Sequence, residues 1–180
     1  MAFSVRRIVT GHDSNGKAIV ATDEQLPGTV SPSHPGISRC EVWSANKMPV
    51  DNSEGAAAEA QRKGFVVRHN YVGSGQGNVC RIVEFSPGGT PFMHRTETLD
   101  YAILLKGECD LELDGGKRVR MKPGDICLHH TNTIHRSGPN TTAKSRRQLA
   151  LGFRSSLAKR DEAGWARYQA QLKQLHEQNA

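Results

Sequence analysis

Short runs of β-forming residues recur from residue 65 onward, each ended by a glycine or proline turn, and this pattern constrains the fold more than any other feature. The candidate strands cover residues 65–69, 79–85, 100–105, 108–113, 117–121, 125–129 and 147–153. The turns between them include Asp114-Gly-Gly116 and Lys122-Pro-Gly124. Many short strands at such spacing predict an all-β sandwich or barrel.

Different patterns flank this region. Residues 5–10 and 17–22 are rich in β-forming residues and enclose Gly-His-Asp-Ser-Asn-Gly, which predicts an N-terminal hairpin. Near the other end, apolar residues recur at helical spacing and predict an amphipathic helix that docks on the barrel or on a second subunit. These apolar residues are Trp165, Tyr168, Leu172 and Leu175. Since such a stripe suits a subunit contact, we expect a homodimer.

The composition excludes several classes of protein. The 180 residues suit one domain, and the longest apolar stretch is far shorter than the roughly 20 residues that span a bilayer. No apolar stretch follows the N-terminal charges, so we expect a cytoplasmic protein rather than a membrane or exported one. The four cysteines are scattered without a C-x-x-C pair, which indicates reduced thiols.

The net charge of +6 is placed unevenly along the chain. Residues 101–180 hold 14 basic and 8 acidic side chains, which accounts for the whole excess. Aromatic residues make up only 6% of the chain and are not interleaved with the basic ones, which argues against nucleic-acid binding. The excess favours a small anionic ligand instead.

Two segments carry the chemistry. The first runs from Pro87 to Glu108 and contains His94-Arg-Thr-Glu-Thr-Leu-Asp100-Tyr, and the second runs from Lys122 to His135. Their spacing resembles the two-part signature of the cupin superfamily. The matching positions are Gly88, His94, Thr96, Asp100 and Gly107 in the first motif, and Gly124, His130, Asn132, His135 and Pro139 in the second, with Asn140 one place late.

The resemblance implies a double-stranded β-helix, which is a jelly-roll barrel with a ligand cavity between its sheets. It covers residues 66–153. The sequence then divides into an N-terminal β extension (1–65) that lies against the barrel, the cupin barrel itself (66–153) and a C-terminal α-helix (154–180).

The resemblance also implies a metal site. Residues at these places converge on one divalent ion in the family, and here they are His94, Asp100 and His135. Two imidazoles and one carboxylate are the ligand set of non-haem Fe(II) sites and also accept Mn(II), Ni(II) or Zn(II). Strand alternation directs His94 and Thr96 into the barrel, but Thr96 replaces a histidine ligand of the family and Asp100 replaces its glutamate.

A metal-free interpretation uses the same residues. In it, His94 or His135 acts as a base, Asp100 orients the imidazole, and Tyr101 or Arg95 assists, as in metal-free epimerases of the superfamily. Alternation directs Arg95 away from the cavity.

Four further residues are weaker candidates for the site. His130 is a candidate substitute ligand, since only one of the adjacent His129 and His130 can face the cavity. Glu97 supplies a carboxylate if its loop bends. On the strand before the first motif, either Arg81 or Glu84 lines the cavity.

These residues lead to two functional hypotheses. The first is a metal-dependent lyase, isomerase or oxygenase that acts on an aromatic or carboxylate-bearing metabolite. The alternative is a metal-free cupin, either a ligand-binding module or an isomerase or dehydratase that uses a His–Asp pair. The motif around His94 looks like that of small single-domain cupins of secondary or aromatic metabolism.

Overall fold

The computed structural model describes residues 3–31, 34–45, 77–89 and 91–154, together with residues 162, 163, 166, 167 and 170. Within these residues the chain forms strands β1 (Ser4–His12), β2 (Ala18–Pro27), β3 (Thr29–Val30), β4 (Ile37–Ala45), β5 (Gly77–Phe85), β6 (Leu99–Lys106), β7 (Cys109–Leu113), β8 (Arg118–Met121), β9 (Ile126–His129), β10 (His135–Ser137) and β11 (Arg146–Arg154). None of the described segments contains a helix long and apolar enough to cross a membrane.

The strands form three antiparallel sheets. The large sheet has the order β3-β4-β5-β11-β6-β9, and the small sheet has the order β10-β7-β8. A cavity lies between them and is lined by residues of both. The prediction of an all-β jelly-roll barrel is confirmed, and β10 is a short strand that the sequence pattern did not reveal.

Alternation along each strand separates the cavity from the outer surface. On β9, His129 is buried toward the cavity while Ile126 and Leu128 are each 58% exposed on the other side. The apolar core lies around the cavity in two clusters. One contains Ile37, Val83 and Phe85, and the other contains Leu104, Cys109 and Met121.

The hairpin predicted near the N-terminus is present as β1 and β2, which form a separate two-stranded sheet. Arg7 ties it to the barrel, because its guanidinium bonds both Glu24 on β2 and the carbonyl of Val42 on β4. Strand β4 itself pairs with β5 in the large sheet. Part of the segment 1–65 therefore belongs to the large sheet through β4.

Two sequence-based expectations fall outside the described residues. The candidate strand 65–69 is one of them. The apolar stripe of the C-terminal segment is the other, although residues 162, 163, 166, 167 and 170 near it are helical.

Asn140 closes one end of the barrel. Its buried amide donates hydrogen bonds to the carbonyls of Phe85 (2.9 Å) and Lys144 (3.0 Å). Its side-chain oxygen accepts the Thr142 hydroxyl at 2.8 Å. One residue thus joins the end of β5 to the loop that leads into β11.

We expect Asn140→Ala to lower the free energy of unfolding by about 3 kcal/mol, because buried carbonyls lose their donors. Urea unfolding followed by circular dichroism measures the change. Asn15→Ala, in the exposed turn between β1 and β2, is the matched control. Equal unfolding midpoints for the two variants would show that Asn140 does not hold this end together.

Candidate functional site

The cavity between the sheets has a volume of about 420 Å³, which is the size of a small-molecule site. Its floor is the inner face of the large sheet. Small residues occupy the middle of that floor and leave the space open: Ala102 on β6, and Ala150 and Gly152 on β11.

Backbone pairing brings His94 and His135 together. The amide of each donates to the carbonyl of the other, at 3.0 Å and 2.9 Å, although the two residues are 41 positions apart in the chain. Their rings then lie with centroids 4.6 Å apart and planes inclined by 51°. The structure therefore brings together two of the three residues that the motif spacing grouped, His94 and His135.

Each of these rings is held by its Nδ1 atom. Nδ1 of His94 lies 3.2 Å from the carbonyl oxygen of Phe92, and Nδ1 of His135 lies 2.8 Å from that of Thr133. Because a carbonyl can only accept, both Nδ1 atoms carry the proton. The Nε2 atoms are then unprotonated and present a lone pair, so both imidazoles are acceptors in their neutral form.

His129 is a third imidazole of the site, and the sequence analysis did not assign it there. Its ring stacks on that of His135 with centroids 3.7 Å apart and an interplanar angle of 11°. It is buried, and its Nδ1 lies 3.9 Å from the Cys127 sulfur. The alternation of β9, with every second residue facing inward, was the signal that could have selected His129 over His130.

Two of these imidazoles, those of His94 and His129, are difficult to protonate. Burial, with a further contribution from the neighbouring His135, lowers the pKa of His94 from 6.5 to about 4. The same two causes, in the same order, lower the pKa of His129 to about 4. Both rings are therefore neutral at physiological pH.

The Asp100 carboxylate is held by two hydroxyl groups. Thr96 donates to one of its oxygens and Thr98 to the other, each at 2.7 Å. Its place also depends on Gly152, where a Cβ atom would lie only 2.9 Å from the nearer carboxylate oxygen. Thr96, at a position where the family has a metal-binding histidine, thus positions the carboxylate here.

The ring planes show whether these residues fit the divalent metal that the resemblance implies. A metal binds an imidazole in the plane of the ring, along the nitrogen lone pair. The ring planes of the stacked His129 and His135 are nearly parallel, with centroids 3.7 Å apart, so these two rings cannot both bind one ion in their planes. Across the described part of the chain, no three His, Cys, Asp or Glu side chains form a group that could hold an ion. In this arrangement the residues do not fit a three-ligand centre, and a metal role for His94, Asp100 and His135 stays a prediction.

The other candidate residues divide between the cavity and the surface. Glu97 lines the cavity, as the sequence analysis expected for the case in which its loop bends. Arg95 also lines it, which corrects the expectation that it faces outward; residues 95–98 do not form a strand, so alternation does not apply to them. Tyr101 does not line the cavity, because it lies on the outer face of β6 and contacts Phe153 edge-on at 5.8 Å. His130 is exposed outside the cavity, with its Nδ1 3.1 Å from the Thr131 carbonyl.

The basic residues of the cavity all precede residue 100. Arg39 on β4 and Arg81 on β5 line it, together with Arg95. The sequence analysis left Arg81 and Glu84 as alternatives, and the structure places Arg81 inside; Glu84 is bonded to Arg147 at 2.5 Å instead. The charge excess after residue 100 is therefore not the source of positive charge in the cavity.

Comparisons with known proteins agree with this fold. The "Phomopsin biosynthesis cluster protein C'" of Diaporthe leptostromiformis is 30% identical over 138 residues, which cover 75% of this chain and 71% of that protein. The "Cupin-domain-containing oxidoreductase fogC" of Aspergillus ruber is 31% identical over 136 residues, covering 73% of this chain and 63% of that protein. The chain is a member of the cupin superfamily.

Two further likenesses are more limited. A family model described as Phytanoyl-CoA dioxygenase (PhyH) matches residues 110–148, less than a quarter of this cupin. Among solved structures, the polyketide cyclase RemF from Streptomyces resistomycificus superimposes with a TM-score of 0.47 and 16% identity, covering 79% of this chain and 87% of that one.

We expect the stability of the protein to fall as the pH drops from 6.5 to 4. In that window the unfolded chain binds protons on the two imidazoles while the folded chain does not, so the proton equilibrium favours unfolding. The loss is on the order of 3 kcal/mol. Urea unfolding in a chelating buffer at a series of pH values measures it.

The double variant His94→Gln/His129→Gln should flatten this dependence, because it removes the groups that titrate. His12→Gln, at the exposed end of β1, is the matched control. A double variant that keeps the wild-type slope would show that the dependence arises elsewhere.

Proposed function

We propose that this cupin is an enzyme that moves a proton on a small aromatic or carboxylate-bearing metabolite held in the barrel cavity. The reaction class is that of an isomerase, lyase or dehydratase. The observation that supports it is the fixed tautomer of His94 and His135, whose Nδ1 protons are held by backbone carbonyls. A neutral imidazole with a free Nε2 lone pair is a general base.

Asp100 supplies the negative charge that stabilises a protonated imidazole. When an imidazole accepts a proton it becomes a cation in a buried site, and a nearby carboxylate stabilises that cation. The charge of Asp100 raises the pKa of both His94 and His129, although burial and the other histidines outweigh it. The two threonine hydroxyls hold the carboxylate in place during the transfer.

The cavity walls favour a flat substrate. The Phe92 ring lines the cavity, lies 5.1 Å from that of His94 and stacks on that of His34 at 4.1 Å. Aromatic faces next to polar groups suit ring-containing metabolites. The relative named for a phomopsin biosynthesis cluster supports a substrate from secondary metabolism.

We expect the wild-type protein to catalyse the exchange of carbon-bound protons of small 2-oxo acids with solvent. The variant His94→Ala should catalyse this exchange about 10²-fold more slowly, because general-base catalysis contributes at least this much to a rate. Proton NMR in D₂O with phenylpyruvate and 2-oxobutyrate as probes measures the exchange. EDTA should leave the rate unchanged. His130→Ala, which removes an exposed histidine outside the cavity, is the matched control.

Equal rates for the wild type and His94→Ala would contradict proton transfer at this residue. An absence of exchange with both probes would overturn the proposal in favour of a binding module without turnover.

A metal-dependent enzyme is the second candidate function. The Nε2 atoms of His94 and His135 are donors of the kind that Fe(II), Mn(II), Ni(II) and Zn(II) bind, and the relative described as an oxidoreductase supports this candidate. It requires a rearrangement of the side chains, because the described residues hold no group of three His, Cys, Asp or Glu side chains that could bind an ion.

The acid–base proposal predicts less than stoichiometric metal in protein purified without added metal or affinity-tag nickel, and equal metal in His94→Ala. Elemental mass spectrometry measures both. Near-stoichiometric metal in the wild type that is lost in His94→Ala would favour the metal enzyme and contradict the acid–base proposal.

A further inference from the structure

A neutral polar group of the cavity lies away from the imidazoles. It consists of the Gln148 amide on β11, in the large sheet, and the Ser137 hydroxyl on β10, in the small sheet, and both residues line the cavity. Within the described part of the chain, neither side chain has a hydrogen-bond partner. We refer to Gln148 and Ser137 as the amide–hydroxyl pair. Its donors and acceptors are available to a ligand.

The two members of this pair lie at the same end of the cavity, one on each sheet. The Arg146 guanidinium donates a hydrogen bond to the carbonyl of Gly138 and so ties the start of β11 to the end of β10. Gly138 directly follows Ser137, and Arg146 lies two residues before Gln148 on the same face of β11. Facing sheets lie about 10 Å apart, which leaves room for a flat ring between them.

Apolar side chains adjoin the amide–hydroxyl pair. On the large sheet its glutamine pairs with Val83 of β5 and Leu104 of β6, and on the small sheet its serine pairs with Leu111 of β7. Arg39 lies beyond Val83 on β4, two strand spacings or about 10 Å from the glutamine backbone. A ligand group between the members of the pair therefore meets neutral hydrogen-bonding groups next to apolar walls.

The floor of the cavity separates the amide–hydroxyl pair from the imidazoles. Asp100 pairs with His129 on one side and with Gly152 of β11 on the other, so these residues mark the imidazole end. Gln148 lies four residues from Gly152 along β11, which amounts to about 13 Å of strand. Between them is the small side chain of Ala150. A ring that carries a short acid chain therefore has space to reach from one end to the other.

We propose that the amide–hydroxyl pair is a specificity-determining subsite of this cupin and binds a hydroxyl group on the aromatic ring of its substrate. The inference deepens the proposed function and rests on it for the reacting end, which lies at the imidazoles. A phenolic hydroxyl donates to the Gln148 amide oxygen and accepts from the Ser137 hydroxyl. The apolar walls cover the ring. A ring without the hydroxyl leaves both polar groups without partners, which weakens its binding.

Three acids with the carbon skeleton of phenylpyruvate test the subsite: 3-(4-hydroxyphenyl)propanoate, 3-phenylpropanoate and 3-(4-fluorophenyl)propanoate. Fluorine fills the place of the hydroxyl but has no proton to donate. We expect the hydroxyl acid to bind the wild-type protein about tenfold more tightly than either of the others. Calorimetric or NMR titration measures the three affinities.

Gln148→Met keeps the length of the side chain and removes its hydrogen-bonding groups. It should weaken binding of the hydroxyl acid by about tenfold and leave the fluorinated acid unchanged. Ser137→Ala should weaken the hydroxyl acid by about threefold. Thermal unfolding checks that both variants fold. Gln25→Met is the matched control, since Gln25 is exposed on β2 and lies outside the cavity.

Equal affinity of the wild type for the hydroxyl and fluorinated acids would overturn the proposal. A preference that survives in the double variant Ser137→Ala/Gln148→Met would also overturn it, because the hydroxyl would then be recognised elsewhere. Failure of all three acids to bind would show that the cavity does not take a ring of this kind.

The subsite and the proposed reaction fail separately, because these acids have no 2-oxo group and their binding involves no proton transfer. Proton exchange on phenylpyruvate without any preference for the hydroxyl acid would contradict the subsite alone. A preference that depends on Gln148, in a protein that exchanges neither 2-oxo acid, would contradict the reaction alone.

Discussion

The two backbone hydrogen bonds between His94 and His135 are the constraint on which the site depends. They join the loop after β5, a strand of the large sheet, to the first residue of β10, a strand of the small sheet. Without them, neither ring would be held within contact of the other. Since each ring is then anchored through Nδ1 to a carbonyl two residues earlier, backbone geometry alone sets which nitrogen faces the cavity. The tautomer of these two imidazoles therefore follows from the main chain.

Part of this site could be predicted from the sequence, because spacing in a β-barrel carries spatial information. The motif distances predicted that His94, Asp100 and His135 lie together, and two of them are paired directly. Thr96 also lines the cavity as expected, although it lies in the irregular segment 95–98, where alternation does not apply. These predictions depend on strand register, which a one-residue shift would invert.

Other parts could not be predicted, for identifiable reasons. Arg95 lies in an irregular segment, so period-two reasoning gave the wrong side. Arg39 lies far from the motif in the sequence, and only the pairing of β4 with β5 brings it to the cavity. The Thr96 and Thr98 hydroxyls on Asp100 required side-chain geometry, which explains why Thr96 was interpreted as a lost ligand rather than as a hydrogen-bond donor. The apolar stripe near the C-terminus falls outside the described residues.

The stack between His129 and His135 limits how a ligand can approach these rings. With centroids 3.7 Å apart and planes inclined by 11°, the facing sides of the two rings are in van der Waals contact and leave no room for another group. The His94 ring lies beside that of His135, with centroids 4.6 Å apart. A ligand in the cavity therefore meets these imidazoles at their edges and nitrogen atoms, and not between the faces of the stacked pair.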